Sequence, residues 1–210
     1  MDEQERQAKL AELASLRDRS AQLEEELAAE GAPDTWVPEG YYATYHMMAG
    51  MVLGLGAAAA SLLFNVIGSV MVGRHPLELI RIYLTFPMGE TALKLDSGFA
   101  LAAGCCLYLA TGMIGGIPFH MVLTRFFSTS SLVTRFVAAT VLGLGVWLIN
   151  FYGVLYWLQP LLIKGDWIVR MIPWYVAVST HLVFGWVILL AGQWGRFVPP
   201  TVPNQGAAAK

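Results

Sequence analysis

The alternation of long apolar runs with short polar segments predicts four membrane-spanning helices. The first run extends from Thr44 to Gly73, contains no Asp, Glu, Lys or Arg, and is followed at once by Arg74. At about 1.5 Å per residue, such a helix is longer than the roughly 30 Å hydrocarbon core of a bilayer. Similar runs cover about 99–126, 135–159 and 172–194. We therefore predict an all-α integral membrane protein, a four-transmembrane-helix bundle formed by residues 44–196.

Small residues recur every three or four positions within these spans, so they fall on one face of each helix. Lipid tails are as apolar as leucine, and helices in a bilayer associate through close packing that small residues permit. We expect these faces to pack against neighbouring helices, with the lining of a ligand site as the alternative. The predicted packing residues are Gly50, Gly54, Ser61, Gly112, Gly116 and Gly185.

The segment after the first span, residues 74–98, carries a helix too short to cross a membrane. Pro76 and Pro87 bound the sequence LELIRIYLTF, in which Glu78 and Arg81 are spaced to pair across one turn. We predict an interfacial or re-entrant helix here, ending before Pro87.

Residues 1–30 predict a separate, acidic, amphipathic helix with coiled-coil character. Their Glu, Gln, Ala, Leu, Lys and Arg content is typical of strong helix formers. A helix with so short a heptad pattern gains most of its stability from a partner, so we expect self-association or docking on another protein. A solvated helix lying against its own bundle is the alternative. The heptad positions, called here the leucine seam, are Leu13, Leu16, Ser20, Leu23 and Leu27.

Breaker residues divide the rest of the chain. Gly31, Pro33 and Pro38 predict a linker over 31–43, and the Pro-rich sequence of 197–210 predicts a disordered C-terminal tail.

Charge is scarce and concentrated near the N-terminus. Charged residues make up 13% of the 210 residues, against about 25% in soluble domains. The net charge of -2 argues against a nucleic-acid partner, which would need a basic patch, whereas the apolar spans predict contact with membrane lipid. The only acidic residues beyond position 40 are Glu78, Glu90, Asp96 and Asp166. This scarcity disfavours a carboxylate-based ion-driven transporter.

The distribution of basic residues predicts the orientation. Four spans put both termini on one side, which carries eight Lys and Arg against five on the other. No secretory signal pattern opens the chain. We predict a bacterial cytoplasmic (inner) membrane protein with both termini cytoplasmic.

Two histidines are expected near the same membrane surface. His46 opens the first span and His120 lies near the end of the second, so antiparallel helices bring both to the side of the termini. Facing histidines can ligate a b-type haem or hydrogen-bond a quinone headgroup. The structural alternative is an interfacial histidine bonded to the backbone or to a lipid.

A second polar layer lies deeper in the predicted bundle. Asn65, Asn150 and His181 fall at similar depths, toward the side opposite the termini. They predict an intramembrane polar cluster that either joins helices by hydrogen bonds or binds a proton, a quinol or a small solute. Gly185, one turn after His181, would give a haem room to approach.

No motif for hydrolysis, acyl transfer or phosphoryl transfer is present, so we do not expect an enzyme. The sequence favours a non-enzymatic accessory or assembly subunit of a larger membrane complex, with a respiratory complex as the candidate. One alternative is a redox module that binds haem b or a quinol through His46, His120 or His181. Another is a small-solute carrier.

Overall fold

The computed structural model describes residues 3–29 and 42–195, and every regular element in these ranges is a helix. By contacts the chain divides into two units, residues 1–40 and 41–210. Most of the predicted linker and the whole C-terminal tail lie outside the described residues. In chain order the helices are α1 (Glu3–Ala29), α2 (Ala43–Met71), α3 (Glu78–Tyr83), α4 (Thr85–Met88), a 3-10 helix (Gly89–Lys94), α5 (Phe99–Phe126), α6 (Leu132–Leu148), a π-helix (Ile149–Leu155), α7 (Tyr156–Ile163), α8 (Trp167–Met171), α9 (Trp174–Ala191) and a 3-10 helix (Gly192–Gly195).

Four continuous helical segments in the described part are long and apolar enough to cross a membrane: Ala43–Met71, Phe99–Phe126, Leu132–Ile163 and Trp174–Gly195. The prediction of an all-helical, multi-pass membrane protein is therefore confirmed. Large apolar side chains such as Val52, Leu63 and Val141 are exposed along these segments, which is compatible with contact to membrane lipid.

Two span boundaries differ from the prediction at prolines. The third span does not stop at Gln159, because α7 continues through Pro160 to Ile163. Proline removes one backbone donor, and membrane helices accommodate it through local irregular turns, one of which directly precedes α7. The fourth span starts at Trp174 rather than Ile172, because the extended backbone of Pro173 caps α9.

Helices α2 and α5 are in direct backbone contact through four small residues, which we call the glycine contact: Gly50, Gly54, Gly112 and Gly116. A Cβ atom added to Gly50 would lie 2.9 Å from the Gly116 carbonyl oxygen, and one added to Gly54 would lie 2.8 Å from the Gly116 Cα. Only glycine permits so close an approach, because any side chain would overlap the opposite backbone. The structure therefore brings these predicted packing residues together at one interface.

Helix α9 packs between α2 and α6. The Ser61 hydroxyl on α2 donates a hydrogen bond to the Thr180 carbonyl at 3.2 Å. Gly185 faces α6, where an added Cβ would lie 3.0 Å from the Ala139 carbonyl oxygen. Helices α5 and α6, although consecutive in the chain, make far fewer contacts with each other than α5 makes with α2 or α6 with α9. The bundle is thus more open between α5 and α6.

The segment between the first two spans folds differently from the prediction. Helix α3 ends at Tyr83, four residues before Pro87, and Pro87 lies inside a further short helix, α4. The Thr85 hydroxyl donates to the Ile82 carbonyl at 2.5 Å, and such side-chain bonds compete with helix continuation. Arg81 pairs with Glu78 at 3.3 Å, as predicted, and also with Asp96 at 2.9 Å.

Candidate functional site

His46 and His120 lie side by side at one end of the glycine contact. The antiparallel register that pairs Gly50 with Gly116 also places His46 Nδ1 3.4 Å from His120 Nε2. Both side chains are buried, with exposed fractions of 9% and 1%. The nitrogen separation exceeds the usual range for an N–H···N hydrogen bond, so the pair is in contact without a strong bond.

This histidine pair does not fit a bis-histidine haem. A porphyrin would have to enter between the two imidazoles, and one turn deeper the backbones of Gly50 and Gly116 already touch. The space at Gly185, one turn after His181, was predicted to admit a haem and is also filled, because a Cβ on Gly185 would lie 2.7 Å from the Phe119 ring. Among the described residues, no three His, Cys, Asp or Glu side chains converge on a common point.

Asn65 belongs to a hydrogen-bond network that joins α2 to α9. Its Nδ2 donates to the Ser61 carbonyl at 2.8 Å and to Thr180 Oγ1 at 2.9 Å. The Thr180 hydroxyl in turn donates to the Val176 carbonyl at 2.8 Å. These groups satisfy one another, which is the behaviour of polar residues that hold membrane helices together.

The predicted cluster of Asn65, Asn150 and His181 is divided in the structure. Asn65 bonds to Thr180, the residue before His181, and not to His181 itself. His181 and Asn150 instead line a common cavity with Ser61 and Thr180. Sequence analysis did not include Thr180, whose hydroxyl is an ordinary partner for a buried amide.

This space, the central cavity, has a volume of about 340 Å³ and is lined by residues of α2, α3, α5, α6, α8, α9 and the π-helix. Its size suits one substituted ring rather than a large cofactor, since pockets for drug-sized ligands begin at about 300 Å³. Thr111, Ile114, Val146 and Asn150 on its border are exposed. They belong to α5, α6 and the π-helix, so the cavity opens where the bundle is loosest.

His181 lines this cavity, and one of its two ring nitrogens has no hydrogen-bond partner in the described chain. His181 Nδ1 lies 2.8 Å from the Ala177 carbonyl oxygen, which can only accept, so Nδ1 carries the hydrogen. In the neutral ring, Nε2 is then a hydrogen-bond acceptor. Within the described chain no hydrogen bond reaches Nε2, and the ring meets Phe151 edge-on with centroids 6.0 Å apart.

Tyrosine and threonine hydroxyls form another part of the wall. Thr111 Oγ1 donates to the Leu107 carbonyl at 2.9 Å, which uses its only hydrogen. Tyr83, whose oxygen lies 2.6 Å from Thr111 Oγ1, is therefore the donor in that contact. Tyr108 packs edge-on against Tyr83, and its hydroxyl has no hydrogen-bond partner in the described part of the protein.

The wall opposite these tyrosines is formed by the π-helix Ile149–Leu155, which supplies Asn150, Phe151 and Leu155. Single π turns inside α-helices are rare and occur frequently at functional sites. A π turn inserts an extra residue and rotates the side chains that follow it. Hydropathy does not reveal such a turn, so sequence analysis could not place the Asn150 side chain.

The structure also contains a buried glutamine that sequence analysis did not single out. Gln159 is fully buried; its Nε2 donates to Thr85 Oγ1 at 3.0 Å, and its Oε1 accepts from the Ile168 backbone N–H at 3.0 Å. It joins α4, α7 and α8. Its position directly before Pro160, inside an apolar run, is the only signal that could have indicated it.

A larger cavity of about 430 Å³ lies between α2, α3 and α9. Its wall includes Asn65 and Glu78, but both already have protein partners, Thr180 and Arg81. The same wall also contains Ser69, Arg74 and Ser179. We take the central cavity as the candidate site because polar groups without a hydrogen-bond partner among the described residues, those of His181, Tyr108 and Asn150, lie there within the apolar spans.

Comparison with known proteins found no matching protein-family model, no similar curated protein and no similar solved structure. The structure is that of a helical protein with four candidate membrane spans and a largely apolar cavity that a few polar side chains border.

Proposed function

We propose that this membrane protein binds the polar head of a lipid-soluble, quinol-type molecule in the central cavity. The observation that carries the proposal concerns His181, which lines a largely apolar cavity: its Nε2 is an acceptor that receives no hydrogen bond from the described residues. His181 is part-buried, so its Nε2 is open to a ligand that donates a hydrogen bond to it, and such a bond contributes about 0.5–1.5 kcal/mol net. Ionisable residues inside a membrane are also candidates for function by default.

The shape of the site supports a ligand that arrives from the bilayer. The cavity borders on exposed residues of α5 and α6, helices that contact each other little. A ring could occupy the cavity while an apolar tail extends between these helices into lipid. Haem is not proposed at either predicted position. The backbones of Gly50 and Gly116 touch one turn from the histidine pair, and Phe119 fills the space at Gly185.

Photolabelling tests this proposal. The purified protein in quinone-free nanodiscs is illuminated with an azidophenol, a hydroxyl-bearing analogue with a short isoprenoid tail, and the labelled peptides are mapped. We expect labelling in Phe99–Phe126, Ile149–Leu155 and Trp174–Ala191 that excess unmodified quinol abolishes. Labelling spread over lipid-facing residues, with no competition, would contradict the proposal.

A second candidate function, that of an accessory or assembly subunit of a respiratory membrane complex, is favoured by the surface of α1. Leu13, Leu16 and Leu23 of the leucine seam are 46%, 64% and 43% exposed. The Leu27 side chain lies outside the described residues. A row of exposed leucines on a charged helix is suited to coiled-coil pairing with another subunit or a second copy.

Two double substitutions that add the same charge at different positions of α1 test this candidate function. Leu16→Glu with Leu23→Glu disrupts the leucine seam, whereas Ala14→Glu with Ala21→Glu adds the same charge outside it. We expect foreign subunits to co-purify from native membranes with the control but not with the seam variant. Retention of the same subunits by both variants would contradict the accessory role.

Two further parts of the proposal concern the orientation of the protein in the membrane and the short helices that follow α2. We propose cytoplasmic termini in a bacterial inner membrane, with α3 and α4 as an interfacial or re-entrant segment. Single cysteines in place of Ser128 and Lys164, two exposed positions in the loops that follow α5 and α7, report the two sides in a background without Cys105 and Cys106. A membrane-impermeant maleimide applied to intact spheroplasts should label position 164 and not 128; the reverse would invert the topology.

A further inference from the structure

We infer that the central cavity selects a hydroxyl-bearing head, the reduced quinol, over the corresponding quinone. The inference rests on the proposed function and concerns the hydrogen-bond character of the same site. It follows from which hydrogens in the wall are already committed to the protein.

His181 is the group that discriminates. Its Nδ1–H is committed to the Ala177 carbonyl at 2.8 Å, which leaves Nε2 able only to accept. A phenolic hydroxyl donates to such a nitrogen. A quinone carbonyl has no hydrogen to donate, so it would leave Nε2 unpaired and expose it to lone-pair repulsion.

The neighbouring hydroxyls do not reverse this preference. The Tyr83 hydrogen is committed to Thr111, and the Thr111 hydrogen is committed to the Leu107 carbonyl. Tyr108 and Asn150 retain donors that either a hydroxyl or a carbonyl oxygen can accept. A hydroxyl can therefore satisfy both kinds of group in the wall, whereas a carbonyl satisfies only one.

Charged groups do not compete for this role. The cavity wall contains no Asp, Glu, Lys or Arg among the described residues, and His181 is its one ionisable group besides the tyrosines. A neutral imidazole is the favoured form inside hydrocarbon, where an uncompensated charge is costly. The acceptor character of Nε2 is thus a property of the resting protein.

The test compares matched ligands in nanodiscs of defined phospholipid. Dissociation constants are measured by calorimetry for a short-tailed quinol under anaerobic reducing conditions and for its quinone. A redox-inert pair, an alkylphenol and its methyl ether, is measured in parallel. We expect the hydroxyl member of each pair to bind more tightly by about two- to tenfold, the net gain from one additional hydrogen bond to His181 Nε2.

His181→Gln is the informative variant, because its amide presents both a donor and an acceptor. Its thermal unfolding is checked against the unmodified protein, and its quinol-to-quinone affinity ratio should fall toward one. Equal affinities for quinol and quinone in the unmodified protein, or an unchanged ratio in His181→Gln, would overturn the selectivity while leaving the binding proposal intact. Binding of neither molecule would overturn the proposed function itself.

Discussion

Helix α5 meets its neighbours in two different ways. On the side of Gly112 and Gly116, its backbone touches that of α2 so closely that a Cβ on Gly54 would lie 2.8 Å from Gly116 Cα. On the side of Gly115, the preceding residue in the chain, an added Cβ would meet only the Phe184 ring, at 3.9 Å. One helix therefore closes the bundle on one face and borders the central cavity on the other.

The two faces of α5 also differ in whether the polar groups near them have hydrogen-bond partners. At the glycine contact the backbones of α2 and α5 touch, and farther along α2 the polar groups of Asn65 and Thr180 satisfy one another. Toward α6, packing is incomplete and His181 Nε2 lacks a partner within the described chain. Open space and unsatisfied hydrogen-bonding capacity coincide on the same side of α5, which is why we place the ligand there.

We expect the largest loss of stability from a substitution at the contact between α2 and α5. Gly54→Leu forces a side chain into the backbone of α5, and overpacking of this kind costs about 1–3 kcal/mol or more. We expect a large fall in the thermal unfolding midpoint in detergent. The control is Gly56→Leu on the same helix, where an added Cβ meets nothing within 4 Å. Equal midpoints for the two variants would mean that α2 and α5 are not in contact.

A smaller effect is expected from the polar link between α2 and α9. Thr180→Val removes the oxygen that accepts from Asn65, and measured hydrogen bonds between membrane helices average about 0.6 kcal/mol, with a maximum of about 1.7. A double-mutant cycle with Asn65→Leu, followed by unfolding in mixed micelles, isolates the pair. Strict additivity of the two single effects would show that this hydrogen bond does not form.

The smallest effect is expected at the open side. Tyr83→Phe removes one hydrogen bond, to Thr111, from a half-buried position in the cavity wall, so the unfolding free energy should fall by about 0.5 kcal/mol or less. Tyr152→Phe, an exposed position with no hydrogen bond in the described chain, is the control. A cost for Tyr83→Phe larger than that for Thr180→Val would mean that this wall is a packed core and not a cavity.

The end of the bundle at which a residue lies could be inferred from the sequence, whereas rotation about each helix axis could not. Four apolar runs fixed the number of spans, and antiparallel connection alone was enough to bring His46 near His120. Which face a side chain occupies depends on local irregularities that hydropathy does not record. Asn150, in the π-helix Ile149–Leu155, lines the central cavity, whereas Asn65 bonds to Thr180, and so the predicted cluster is divided.

The sequence also did not reveal the roles of several uncharged polar residues and of one glycine. Gln159 and Thr180 attracted no notice in the sequence because uncharged polar residues are common in membrane helices, yet each anchors a buried network. Gly185 predicted open space beside His181, but a glycine equally permits close packing, and here Phe119 and α6 occupy that space. A small residue indicates close approach or a cavity, and only the three-dimensional neighbours decide between them.

Two consecutive glycines of α5 provide the most direct test that the central cavity is the ligand site. Gly115→Leu places a side chain into the central cavity, whereas Gly116→Leu places the same side chain into the backbone of α2. Thermal unfolding and quinol binding are measured for both variants in the same nanodiscs. We predict that Gly115→Leu is at least as stable as the unmodified protein but no longer binds quinol, and that Gly116→Leu is severely destabilised. A destabilised Gly115→Leu variant, or one that binds quinol normally, would contradict the assignment of the central cavity as the ligand site.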